Sequence, residues 1–176
     1  RMKDNGVLSQ EEIDALLNNT SEPEEDVLFS DLEKDTLGEI GNISIGNSAT
    51  ALSQLLNQKV KITTPSVKIL PRNELENEFP KPYVAVVVDY TKGFSGSNLL
   101  VINEQDALII ADLMMGGDGK PEKTELSEIH LSALQEAMNQ MMGSAATSMS
   151  QIFDKRVEIS PPSIDMLNIP EGVGIE

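Results

Sequence analysis

Two stretches of the chain carry nearly the same sequence. EIGNISIGNSATALSQ spans Glu39–Gln54, and EAMNQMMGSAATSMSQ spans Glu136–Gln151, at an offset of 97 residues. At the same offset, residues 35–69 and 132–166 are identical at 12 of 35 positions without a gap. In each copy a helical pattern is followed by a segment with strand character. The repeat therefore predicts a pseudo-twofold domain in which each half contributes a helix and a strand.

The repeated residues lie on one face of each predicted helix. At about 100° per residue, six positions of the first copy fall within about 80°, and their counterparts do the same. The opposite sides are apolar but differ between the copies, which is typical of core faces. The stripes are Asp35, Glu39, Asn42, Gly46, Ala49 and Ser53, and Ser132, Glu136, Asn139, Gly143, Ala146 and Ser150. The predicted core faces are Leu37, Ile40, Ala51 and Leu55, and Leu134, Met141, Ala145 and Ile152.

The stripes have two interpretations. Small residues at this spacing allow two helices to cross closely, which would explain the Gly, Ala and Ser positions. Helix crossing does not require Glu and Asn three residues apart in both copies, and a single such pair usually lies on a solvated surface. A carboxamide can accept and donate hydrogen bonds, and it orients the attacking water in some phosphoryl hydrolyses. The pairs therefore suggest a site that completes the active site of a partner carrying its own phosphate and metal.

Composition excludes several functional classes. The net charge of −16 and a pI near 4.3 argue against nucleic-acid partners and anionic membrane surfaces. With no cysteine and a single histidine, His130, the chain offers no thiol nucleophile and no Cys/His metal site. No apolar run reaches the length of a membrane span. We expect a cytoplasmic protein without direct membrane insertion.

The remaining pattern predicts alternating helices and extended segments. YVAVVVDY and GSNLLVIN read as strands joined by the glycine-containing turn TKGFSG. GGDGK lacks the spacing of a phosphate-binding loop and reads as a turn. The predicted helices are Asp31–Asn57, Glu104–Met115 and Ser127–Phe153, and the other predicted strands are KVKIT at 59–63, an extended piece at 65–70, and RVEIS at 156–160.

The chain begins with a short amphipathic segment followed by an acidic linker. VLSQEEIDALL carries a capping box and one apolar side, but a helix of about nine residues is marginal alone in water. An acidic linker at 19–30 follows. Residues 1–18 are therefore predicted to dock on a partner, the alternative being a helix that packs on its own domain. The candidate docking residues are Leu8, Ser9, Glu12, Ile13, Leu16 and Leu17.

Both copies carry the motif D/S-x₃-E-x₂-N-x₂₂-P. This motif resembles the signature of the CheC/FliY/CheX phosphatases, which remove the phosphoryl group from phospho-CheY. The matching positions are Asp35, Glu39, Asn42 and Pro65, and Ser132, Glu136, Asn139 and Pro162.

The resemblance implies a role for each position. Asn42 and Asn139 would insert into the response regulator and position the attacking water, while Glu39 and Glu136 would pair with a regulator lysine. The other four positions would shape the site. Mg²⁺ and the aspartyl phosphate would belong to CheY, so the resemblance implies no cofactor of the chain's own.

The resemblance also implies a fold and a setting. The family fold is α/β, with two symmetry-related long helices on a mostly antiparallel sheet, and it would occupy residues 31–176. The leading peptide is similar to the CheY-binding peptide of FliM and FliY, which implies a location at the flagellar basal body. FliM, FliG and FliN-like proteins would be partners, and a FliN-like module would follow in a complete FliY.

Two alternatives remain. A non-enzymatic FliM-like scaffold shares the peptide and a related middle domain but lacks the Glu-x-x-Asn pairs. A simple acidic adaptor would need neither the leading peptide nor the Glu-x-x-Asn pairs.

Overall fold

The protein is described by a computed structural model that covers residues 29–79 and 83–167. Two long helices pack against each other and against one antiparallel sheet. The α/β prediction with paired long helices is confirmed. In chain order the elements are α1 (Asp31–Leu56), a 3₁₀ turn (Arg72–Glu74), α2 (Leu75–Glu78), β1 (Tyr83–Lys92), β2 (Ser97–Asn103), α3 (Glu104–Met114), α4 (Glu128–Ile152), β3 (Glu158–Ile159) and β4 (Ser163–Leu167).

Both long helices begin at a serine that takes part in a cap, reciprocal at Ser30 and one-sided at Ser127. The backbone N–H of Ser30 donates to the Glu33 carboxylate at 2.7 Å, and the Glu33 N–H donates to the Ser30 hydroxyl at 3.3 Å. These bonds from the Ser30 backbone and hydroxyl lower the pKa of Glu33 below its usual value of 4.5. At the start of α4, the Ser127 N–H donates to His130 Nδ1 at 3.0 Å. Each cap satisfies a backbone donor that the first turn leaves free.

Strand β1 is the middle of the sheet. β2 lies antiparallel along one edge, with Tyr83 opposite Asn103, and β4 and β3 follow one another along the other edge. The β1–β2 turn contains Gly93 at φ 93°, where a side chain would also collide with the Arg156 carbonyl, so the turn requires glycine there. The predicted hairpin is confirmed.

The core lies between the sheet and the two long helices. Val84, Val86 and Val88 point from β1 into it and are at most 1% exposed. Other buried members of this cluster are Leu52, Leu56, Ala107, Leu134, Ala137, Met138, Met141 and Met142. Aliphatic and methionine side chains thus supply the packing, as the low aromatic content requires.

The axis of the repeat passes where the long helices meet. Asn47 and Ser144 are counterparts at the offset of 97, and the Ser144 hydroxyl donates to the Asn47 carbonyl at 3.2 Å. Close by, the Asn47 amide donates to the Ser148 hydroxyl at 2.9 Å. A contact between counterpart residues is what a pseudo-twofold arrangement produces, so the repeat is visible in the packing.

Some sequence predictions were wrong. The three predicted helices are present to within two residues, but KVKIT forms no strand, since residues 59–71 have no regular secondary structure. RVEIS forms a strand only at Glu158–Ile159, with one further backbone bond from the Ser160 N–H to the Asp89 carbonyl at 2.8 Å. On α1, Leu37 and Leu55 are 43% and 41% exposed. Helix α4 buries Leu134, Met141 and Ala145 as predicted, but it leaves Ile152 36% exposed. On helix α1 it is Leu52 and Leu56 that face the core.

The leading peptide and most of the linker, residues 1–28, lie outside the described residues, so the predictions for Leu8 through Leu17 stay predictions. Within the described ranges, no helix combines the length and hydropathy of a membrane span.

Candidate active site

The four motif residues of the first copy line one cleft. Asp35, Glu39 and Asn42 rise from successive turns of α1, and Pro65 stands opposite in the extended chain that follows the helix. The cleft has a volume of ≈ 430 Å³. Spacings of three and four residues bring the helical side chains onto one face. Its other lining residues are Asp31, Lys34, Gly38, Thr64, Ser66 and Val67.

The Glu and Asn side chains of both pairs are accessible to a docked protein. Glu39, Glu136 and Asn139 are exposed, and Asn42 is half-buried. Neither asparagine amide hydrogen-bonds to a described residue, so both keep their donors and acceptors available. A pair buried inside the fold could not act on a docked substrate. The arrangement therefore permits the chemistry that the motif suggests.

The second copy differs from the first in its supporting contacts. Glu136 accepts a hydrogen bond from Gln140 Nε2 at 3.2 Å, and the Pro162 carbonyl accepts one from Gln135 Nε2 at 2.8 Å. Pro162 is buried, whereas Pro65 is exposed. The counterparts of the two glutamines are Ile43 and Gly38, which cannot make these bonds. Comparing the two copies position by position could have found this difference; the motif alone could not.

Charge also distinguishes the two sites. The first cleft contains Lys34, whose Nζ lies 4.0 Å from an Asp31 carboxylate oxygen. The position equivalent to Lys34 in the second copy is Leu131. Sequence reasoning did not single out Lys34, because the motif does not include it. Among residues 29–79 and 83–167, no group of three or more His, Cys, Asp or Glu side chains is placed to hold a metal ion.

Other members of the stripes have structural roles. Ser53 accepts from the Val60 N–H and Ser150 accepts from the Val157 N–H, both at 2.9 Å. Each serine also donates to a carbonyl one turn back in its own helix. These bonds fix the chain where it leaves the helix, which explains why serine recurs in both copies.

The helix-crossing interpretation explains only part of the small residues. Ala49 and Ala146 are buried at 7% and 6% exposure, in keeping with close packing. A methyl group added at Gly46 or Gly143 would meet no described residue within 4 Å, so packing among the described residues does not require either glycine.

Comparison with known proteins identifies the family. The family model described as CheC: CheC-like family matches residues 32–69 and 129–165, the two copies of the repeat. Over 151 residues, the chain is 32% identical to the CheY-P phosphatase CheC of Bacillus subtilis, covering 80% of this chain and 71% of that protein. The chain belongs to the CheC-like family. The family accounts for the twin helices and the duplicated motif.

Two further relatives within the same family carry the name FliY. The chain is 61% identical over 180 residues to the flagellar motor switch phosphatase FliY of Bacillus subtilis, covering 98% of this chain. It spans about half the length of that protein, 47%. The crystal structure of Thermotoga maritima FliY superposes with a TM-score of 0.78 at 46% identity, covering 83% of this chain and 74% of the other. The resemblance to FliY members of the family is confirmed.

Proposed function

We propose that this chain hydrolyses the aspartyl phosphate of phosphorylated CheY at the flagellar motor switch. The observation that carries the proposal is the pair of accessible Glu-x-x-Asn faces, one on each of two helices related by the repeat. The relatives are named a flagellar motor switch phosphatase and a CheY-P phosphatase, which supports the same activity for this chain.

The asparagine side chains position the attacking water in the proposed reaction. In the proposed complex, the Asn42 or Asn139 amide enters the regulator and binds a water, accepting through its carbonyl oxygen and donating through its NH₂ group. The water oxygen attacks phosphorus in line with the departing aspartyl oxygen, so the P–O bond to aspartate breaks and inorganic phosphate leaves. Holding the water in this geometry removes much of the entropic cost of the reaction.

The glutamate side chains orient the docked regulator in the proposed complex. Glu39 and Glu136 lie one turn before their asparagines and are exposed, so each can form an ion pair with a lysine of the regulator. Such a pair fixes the rotation of the regulator over the helix. Gln140 already holds Glu136 by a hydrogen bond, so the second site presents its carboxylate in a more restricted position.

The metal comes with the substrate in this proposal. Mg²⁺ bound to CheY neutralises charge on the transferring phosphoryl group, and this chain contributes no metal ligand. Residues 1–18 capture phospho-CheY and the linker 19–30 delivers it to the helices. The chain works beside the other switch proteins, among them FliM, FliG and FliN-like proteins, at the basal body.

The direct experiment is the decay of phospho-CheY, followed after phosphorylation with a small-molecule donor, with and without this chain. We expect the chain at substoichiometric concentration to accelerate phosphate release through many turnovers. Binding of phospho-CheY without acceleration would instead support the FliM-like scaffold. If the chain neither binds phospho-CheY nor accelerates its decay, the acidic adaptor remains as the interpretation.

A further inference from the structure

A glycine follows each motif asparagine by one helical turn. Gly46 comes four residues after Asn42, and Gly143 comes four residues after Asn139. A spacing of four places each glycine beside its asparagine on one face of the helix. The D/S-x₃-E-x₂-N-x₂₂-P motif does not include this glycine. Its presence in both copies is therefore an observation separate from the motif.

Neither glycine has a structural reason among the described residues. A methyl group added at Gly46 or Gly143 would meet no described residue within 4 Å. Both positions have ordinary helical backbone, in the interiors of α1 and α4, which any residue with a side chain adopts. Glycine in a helix interior is less stable than alanine. Each copy thus retains a residue that lowers the stability of its helix and that close packing does not require.

The side chain that each glycine lacks would lie over the asparagine. In an α-helix the Cα–Cβ bond tilts toward the N-terminus, so a side chain covers the turn that precedes its own Cα. For position 46 that turn holds Asn42, and for position 143 it holds Asn139. Gly46 is half-buried and Gly143 is exposed. The glycines therefore leave one side of each asparagine amide clear.

This clearance is important because asparagine is short. Its amide stands on a single methylene group, so it extends only a little beyond the helix surface. To bring such an amide to a phosphorus atom in another protein, the helix itself must come close to the surface of that protein. Bulk beside the amide would hold the two surfaces apart. A displacement of about 1 Å from the reacting atoms can lower a rate by about 100-fold.

We infer that Gly46 and Gly143 are positioning residues that set how deeply Asn42 and Asn139 enter the regulator, a role that rests on the proposed function. The regulator surface passes over the turn that follows each asparagine, and the missing side chain permits its close approach. The glycines contribute no group to the reaction. They act through the asparagines, by allowing the amide to reach the attacking water.

Single-site proteins test the two glycines separately. Asn42→Ala isolates the second site, in which Gly143→Ala is compared with Gly143→Leu. Asn139→Ala isolates the first site, in which Gly46→Ala is compared with Gly46→Leu. Steady-state phosphate release over a range of phospho-CheY concentrations gives kcat and KM for each protein. We expect alanine to lower kcat at least about tenfold and leucine to lower it further. KM should change less than about twofold, because residues 1–18 are proposed to capture the regulator.

Thermal unfolding separates positioning from damage to the fold. Alanine and leucine are stronger helix formers than glycine, so each glycine substitution should raise Tm by about 2 °C. Thr50→Ala and Thr147→Ala are the matched controls. Both threonines are exposed one turn beyond the glycines, and their hydroxyls donate to the carbonyls of Gly46 and Gly143 at 3.2 and 3.1 Å. Because alanine adds no bulk there, the controls should keep kcat.

Three outcomes would overturn the inference. An unchanged kcat in Gly46→Leu or Gly143→Leu would mean that bulk beside the amide does not limit its insertion. Equal partial losses for alanine and leucine would point to helix flexibility instead of clearance. A loss of kcat with a lower Tm would give the glycine a structural role. Failure of the unsubstituted chain to accelerate phospho-CheY decay rejects the proposed function, and this role with it. Acceleration that the glycine substitutions leave intact rejects this role alone.

Discussion

The hydroxyl of Ser150 accepts a 2.9 Å hydrogen bond from the backbone N–H of Val157, and Ser53 makes the same bond to Val60. In both copies the helix is thus tied to the chain that leaves it. The recurrence of this serine therefore has a structural cause. The Glu and Asn of the same stripe differ from it, because no hydrogen bond to a described residue recurs for them in both copies.

Replacing either serine should reduce stability. Ser150→Ala leaves the N–H of Val157, a residue that is 5% exposed, without its partner, at a cost of about 1–2 kcal/mol in the free energy of unfolding. Chemical denaturation of the variant measures the change. Thr147→Ala is the control, since that exposed hydroxyl only donates back to the Gly143 carbonyl, and its effect should stay within about 0.5 kcal/mol. Equal effects for the two variants would contradict the structural role.

Removing an unpaired buried hydroxyl should have the opposite effect. Ser44 is 5% exposed and its Oγ has no hydrogen-bond partner among the described residues. Ser44→Ala should therefore raise the free energy of unfolding by about 1 kcal/mol. The control is Ser48→Ala, since the Ser48 hydroxyl donates to the Ser44 carbonyl at 2.9 Å. Thermal unfolding that shows Ser44→Ala to be destabilised would mean that this hydroxyl has a partner.

Stability should depend on the charge of Glu33. Its pKa is lowered by hydrogen bonds from Ser30, so the folded state favours the carboxylate. That contribution is present above the unfolded value of 4.5 and is lost as the pH falls through the lower, folded-state pKa. The stability difference between the wild type and Glu33→Gln should therefore shrink below pH 4.5. A difference independent of pH, in denaturation at several pH values, would contradict the cap.

The leading peptide should affect capture rather than chemistry. Deleting residues 1–20 should raise the concentration of phospho-CheY needed for half-maximal rate and leave the rate at saturation unchanged, because the helices keep their Glu and Asn side chains. Steady-state phosphate release over a range of phospho-CheY concentrations separates the two quantities. A saturating rate that falls as far as the affinity would reject the tethering role of these residues.

Sequence reasoning succeeded where the signal was local or repeated. The offset of 97 predicted the paired helices, and helical spacing predicted Asp35, Glu39 and Asn42 on one face, where they line one cleft together with Pro65. The strand predicted at 59–63 is absent. Its absence could not be read from its own residues, because strand pairing needs a partner, and β-propensity is set by what a segment packs against. RVEIS, its repeated counterpart, forms a strand only where β1 is beside it.

The exposure of Leu37 also could not be predicted from the sequence. The pattern placed Leu37 and Leu134 at equivalent positions and predicted that both would be buried, but burial depends on which element lies above each helix. Gln135 and Gln140 were missed for a related reason, since the repeat directs attention to identical positions and these two differ between the copies.

The central claim is that Asn42 and Asn139 position the attacking water, and the rate of phospho-CheY decay tests it most directly. Gln54→Ala with Gln151→Ala is the matched control, because these exposed carboxamides recur at the far ends of the same two helices. We predict that Asn42→Ala and Asn139→Ala each retain part of the activity, that the control pair keeps the wild-type rate, and that the double asparagine variant falls to the intrinsic rate of phospho-CheY. A folded double variant that still accelerates decay as the wild type does would contradict the account.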